Sequence, residues 1–80
     1  MSKLTVKIVD QNTEETYQNV SSLTLPTPQG YITVLPGHDK LLTVLSKGTI
    51  KIKTSNKVHT LNTIGGICKI SQNNVIILLD

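Results

Sequence analysis

The chain has 80 residues, enough for one domain and too few for two. With 38% apolar and 16% charged residues it is too apolar for a disordered tail and too evenly mixed for a membrane-spanning protein, so a soluble globular domain is expected over residues 1–80. The net charge is +3, but all eight cations are lysines, and the arginine fork that clamps phosphate or reads guanine is absent.

In chain order, Lys3–Val9 alternates by two, with Leu4, Val6 and Ile8 on one face and Lys3, Thr5 and Lys7 on the other, as a half-buried strand requires. Lys7 and Asp10 also interrupt what would have to be the apolar core of a signal peptide. After the turn residues Asp10-Gln11-Asn12 come two short strand patterns, Glu15–Val20 and Ser22–Leu25. Pro26-Thr27-Pro28-Gln29-Gly30 then reads as a turn leading into a strand over Tyr31–Leu35. Pro36-Gly37 fixes a sharp reversal, with His38 displayed at its exit. Leu41–Leu45 is read as a strand carrying apolar residues on both faces. The rival reading, a helix capped by Asp39 and ended by Gly48, is opposed by Thr43 and Val44.

Gly48–Thr54 alternates as cleanly as the first strand, with Ile50 and Ile52 inward and Thr49, Lys51 and Lys53 outward. Three further patterns close the chain: Lys57–Leu61, Ile64–Ser71 and Asn74–Leu79. In the second of these Ile64, Gly66, Cys68 and Ile70 share a face. Turn signals every 8–12 residues or so mark an all-β sandwich or barrel, with a core that includes Leu4, Val6, Ile8, Leu23, Leu25, Ile50, Ile52, Ile70 and Ile77. The longest apolar run, Val75–Leu79, falls far short of the ~20 residues a membrane helix needs, and no insertion into a bilayer is expected.

No catalytic constellation emerges. His38 and His59 are the imidazoles, Asp10, Glu14, Glu15, Asp39 and Asp80 the acids, and neither HExxH, CxxC nor a phosphate-cradling GxxxxGK[ST] occurs, so no catalytic, metal or cofactor site is expected. Cys68, the single cysteine, reads as a buried thiol in a strand and points to a reducing, intracellular setting. A small basic β-domain also admits an alternative, an OB-like binder of single-stranded nucleic acid with Lys3, Lys7, Lys51 and Lys53 as its stripe. Such binders stack bases on aromatic rings, and here only Tyr17 and Tyr31 are available, which favours a solvated lysine face. Gly65-Gly66 reads as a bulge or a place of tight strand packing.

The stretch from Gln29 to Gly48, and above all Pro36-Gly37-His38-Asp39-Lys40-Leu41-Leu42-Thr43, resembles the signature of the epsilon subunit of F-type ATP synthases. The similarity runs nearly the full chain: Leu4–Val9 looks like that family's first strand, Leu23-Thr24-Leu25-Pro26 like the strand before the signature, Ile64–Ile67 like its glycine-pair strand, and Val75–Asp80 like the last strand of its N-terminal domain. The resemblance implies a flattened two-sheet β-sandwich of about ten mostly antiparallel strands. It implies a part at the foot of the rotary central stalk, monomeric when isolated, gripping the gamma subunit and touching the c-ring. That part has no active site of its own and sits peripherally at the cytoplasmic face of the energy-transducing membrane. Carried onto this chain, the interface residues are Tyr31, Ile32, Pro36, Gly37, His38, Leu41 and Leu42, with His38 and Leu42 toward gamma and Tyr31 nearer the c-ring. Thr33 replaces a family glycine, Tyr31 stands at an often acidic position, and Asp39-Lys40 replaces a small residue and proline. The chain stops at Asp80 without the family's C-terminal helical hairpin, on which inhibition of ATP hydrolysis depends, so coupling without inhibition is the expectation.

Overall fold

The computed structural model describes residues 2–80. These form eight strands: β1 (Leu4–Val9), β2 (Glu14–Thr27), β3 (Gly30–Val34), β4 (Leu41–Leu45), β5 (Gly48–Thr54), β6 (Val58–Thr63), β7 (Gly66–Ser71) and β8 (Asn74–Leu79). No helix occurs among the described residues, and Leu41–Leu45 is the strand its β-branched content favoured. Six of the seven strand pairings are antiparallel, and the exception joins β1 to β8 from opposite ends of the chain.

Hydrogen-bonded neighbours run β4-β7-β8-β1-β2-β5-β6, with β3 also on β2. The long strand β2 makes this a sandwich. Its first half pairs with β1 and its second half with β3 and β5; the register against β1 breaks between Tyr17 and Val20, where Asn19 takes a positive φ of 58°, and the register against β5 breaks between Val20 and Ser22. A bulge bends and twists a strand, which lets β2 pass from one layer to the other as a shared corner. We refer to β4, β7, β8, β1 and the start of β2 as the β8 layer, and to β3, the end of β2, β5 and β6 as the β5 layer. The two strands expected over Glu15–Val20 and Ser22–Leu25 are therefore one, and the count is eight rather than about ten.

Alternation places the core as expected. Leu4, Val6, Ile8, Leu23, Leu25, Ile50, Ile52, Ile70 and Ile77 are all buried, joined by Val20, Val34, Leu45, Cys68 and Val75 in one cluster drawn from both layers. Burial pushes the Cys68 thiol up to about 11, so it rests as an unreactive thiol beside Thr43 and Ile77. Ile64 departs from the expectation. It is 73% exposed, because the Thr63 hydroxyl donates to the Gly65 carbonyl and accepts the Gly65 amide, both at 3.0 Å, folding the chain into a tight turn before β7 begins. Gly66 then lies where a Cβ would overlap the Leu78 carbonyl oxygen, so the glycine pair marks close strand packing.

Candidate docking surface

The crossover from β3 to β4 carries the Pro-Gly-His turn. The His38 amide donates to the Leu35 carbonyl at 3.2 Å, with Pro36 and Gly37 (φ 85°) at the central positions, the geometry of a type II turn that a side chain at position 37 would strain. The Gly37 amide donates to Asn73 Oδ1 at 2.7 Å, across to the tip of the β7–β8 hairpin. The His38 ring is exposed, and its Nδ1 lies 2.7 Å from the Asp39 carbonyl oxygen.

Just beyond the turn, β4 is the edge strand of the β8 layer. Leu41 and Leu45 turn inward onto the core, while Leu42 and Val44 point outward, 70% and 55% exposed. Register then aligns outward residues across the layer. Val44 lies opposite Ile67, Ile67 opposite Leu78, and Leu78 opposite Val9, an unbroken apolar row that spans roughly 14 Å at the usual strand spacing. In the next row Leu42 faces Lys69, Lys69 faces Ile76 and Ile76 faces Lys7, alternating apolar residues with lysines whose stems are themselves hydrocarbon. Leu42, Val44, Ile67, Ile76 and Leu78 are each more than two-fifths exposed, though they occupy three neighbouring strands. A contiguous apolar sheet face of this kind is characteristic of a surface that another protein covers.

The other outer face is unlike it. Across the β5 layer the corresponding row is Thr33, Thr24, Lys51 and Thr60, and the hydroxyls of Thr24 and Thr33 lie 3.3 Å apart.

The expected interface residues therefore divide. Leu42 lies on the apolar face; Pro36, Gly37 and His38 form the turn before it; Ile32 and Leu41 are half-buried and pack against the core. Tyr31 sits at the opposite end of β3, about 13 Å of strand from Leu35, on the β5 layer. Its hydroxyl accepts the Thr49 amide at 3.1 Å while its ring is 60% exposed. Sequence reasoning missed Val44, Ile67, Ile76 and Leu78 as parts of one surface. Their signal was apolar residues at both parities of β4, β7 and β8, noticed only for β4.

At the far end of the sandwich a cleft of about 460 Å³ opens between the layers, floored by Ile8, Leu61 and Leu79. His59 packs against Tyr17 there with ring centroids 5.0 Å apart and the rings tilted by 53°, and the Tyr17 hydroxyl donates to Glu15 at 2.8 Å, which raises the tyrosine's pKa. Cys68 is buried elsewhere in the core and does not line this cleft. No cluster of three or more His, Cys, Asp or Glu residues suited to a metal ion occurs among the described residues.

Residues 3–80 match the family model described as the ATP synthase, Delta/Epsilon chain, beta-sandwich domain. The chain belongs to this family. Among curated relatives, the ATP synthase epsilon chain of Campylobacter curvus is 38% identical across the whole of this chain, which covers 63% of that protein. The chloroplastic ATP synthase epsilon chain of Marchantia polymorpha is 31% identical over 96% of this chain and 57% of its own length. This chain thus spans about three-fifths of such relatives. Among solved structures, a chain in the Euglena gracilis mitochondrial ATP synthase (OSCP/F1/c-ring) superposes with a TM-score of 0.89 at 21% identity, over 99% of this chain and 51% of that one. A chain from the central stalk and c-ring of the Tetrahymena thermophila mitochondrial ATP synthase gives 0.79 at 19% identity, over 99% and 66%. At those identities the superpositions establish the fold, and they agree with the two-layered, helix-free domain described above.

Proposed function

We propose that this domain is a non-catalytic part of the central stalk of an F-type ATP synthase, coupling the gamma subunit to the c-ring at the cytoplasmic face of the energy-transducing membrane. The observation that carries the reading is the apolar outer face of the β8 layer, with the Pro36-Gly37-His38 turn at its end, in a chain of this family. A rotating stalk needs a rigid adaptor, and one core shared by two layers supplies a stiff platform for such a face. His38 and Leu42 contact gamma, and Tyr31, at the other end of β3, lies toward the c-ring. A nucleic-acid reading has little to stand on. Lys51 lies in a row of threonines and Lys53 between Ser22 and Val58, no arginine occurs in the chain, and the one exposed aromatic of that layer, Tyr31, has its hydroxyl held by the Thr49 amide.

The experiment is a pull-down with the gamma subunit, comparing the wild type with His38→Ala and Leu42→Asp after each is shown to be folded by its β-sheet circular dichroism. Weaker retention of both variants is expected. Equal retention of all three proteins would overturn the docking role. Added to synthase depleted of its epsilon subunit, these 80 residues should restore coupled synthesis, and no gain in coupling would count against the reading.

A further inference from the structure

Asn73 stands where three segments meet. It is the second residue of the two-residue β7–β8 turn, with Gln72 and Asn73 at φ 51° and 65°, both in the left-handed region of a type I′ hairpin. Its carbonyl accepts the Thr5 amide of β1 at 2.9 Å, and its side-chain Oδ1 accepts the Gly37 amide of the β3–β4 crossover at 2.7 Å. The crossover is one of two links that carry the chain from the β5 layer back to the β8 layer, the other being β6–β7, and its other backbone bond, His38 to Leu35, is internal to the turn. Asn73 Oδ1 is thus the described side-chain hydrogen bond that ties the body of the turn to the β8 layer. Asparagine suits the place twice over, since it tolerates the left-handed backbone and carries an acceptor.

We propose that Asn73 is a positioning residue for the docking surface: its carboxamide clamps the Pro36-Gly37-His38 turn to the β8 layer and so fixes His38 at the end of the apolar face. The inference rests on the docking role proposed above. Two substitutions isolate the clamp. Asn73→Gly keeps the left-handed backbone and removes the acceptor, whereas Asn73→Asp keeps both. The test measures Gly37 amide exchange by NMR in the free domain, together with affinity for the gamma subunit. Asn73→Gly should speed Gly37 exchange and weaken gamma binding roughly three- to tenfold, the range a single hydrogen bond supports, with the melting transition still cooperative. Asn73→Asp should restore both readouts to within about twofold of wild type. Unchanged Gly37 exchange in Asn73→Gly would overturn the clamp, and faster exchange with unchanged affinity would overturn its positioning role. A wild type that fails to bind gamma would overturn the docking role itself, a result distinguishable from either, and the positioning claim would fall with it.

Discussion

The two outer faces of the sandwich are built by the same rule and end up opposite in character. Both layers send alternate residues into one core, so each is equally committed on its inner side. Outward, the β5 layer shows Thr33, Thr24, Lys51 and Thr60 in a row, the composition of a solvated antiparallel sheet. The β8 layer shows Val44, Ile67, Leu78 and Val9. Folding does not require that second set, since the inner face of the same strands already supplies the burial. What the difference teaches is that two layers sharing one core can differ outside it, and the apolar outer side is the one on which the proposed docking role rests.

The comparison can be tested from its foundation outward. Ile50 belongs to the shared core and is fully buried, so Ile50→Ala should destabilise the whole domain by roughly 2–5 kcal/mol, seen as a lower melting midpoint. A variant that melts like the wild type would show that the two layers do not share that core. Next in size, the double substitution Val44→Asp with Leu42→Asp should weaken gamma binding at least about tenfold, as the loss of central apolar contacts does, while stability changes little at these exposed edge positions. The matched change on the other face, Thr24→Asp with Lys51→Asp, should alter affinity by no more than about twofold. Equal effects from the two pairs, measured by titration calorimetry at one salt concentration, would erase the distinction between the faces.

The smallest effect lies on neither face. Asp10 accepts the Asn12 and Thr13 amides at 2.8 Å each in the β1–β2 turn, and those bonds, backbone first, hold its carboxyl below its usual 3.8. A lowered folded pKa means that the stabilising contribution is complete above 3.8 and is lost as pH falls through the folded value. Acid should therefore loosen this turn, read as lower amide protection factors at Asn12 and Thr13, and Asp10→Ala should show that lower protection already at neutral pH.

The core and the strand order along the chain were legible because period-two alternation in Leu4–Val9 and Gly48–Thr54 assigns faces without ambiguity. The continuity of β2 was not. Glu15–Val20 and Ser22–Leu25 read as two strands, and only the change of partner from β1 to β5 shows them to be one strand with a bulge. Ile64 was misplaced for a related reason: parity counted backward from Cys68 assumes strand where the Thr63–Gly65 turn has already taken over. The docking face was half legible. In Val75–Leu79 every residue is apolar, so parity alone cannot say which of them face out, and the match of Leu78 to Val9 depends on a parallel pairing between chain ends that no local pattern encodes.

The most direct test of the central claim is methyl cross-saturation by NMR, irradiating an unlabelled gamma subunit bound to this domain. Both faces carry reporters, Val44, Ile67, Ile76 and Leu78 on one and Thr24, Thr33 and Thr60 on the other. The account predicts strong loss of signal at the valine, isoleucine and leucine methyls of the β8 layer and none at the threonine methyls of the β5 layer. Loss concentrated on the threonine methyls, with Ile67 and Leu78 untouched, would contradict it.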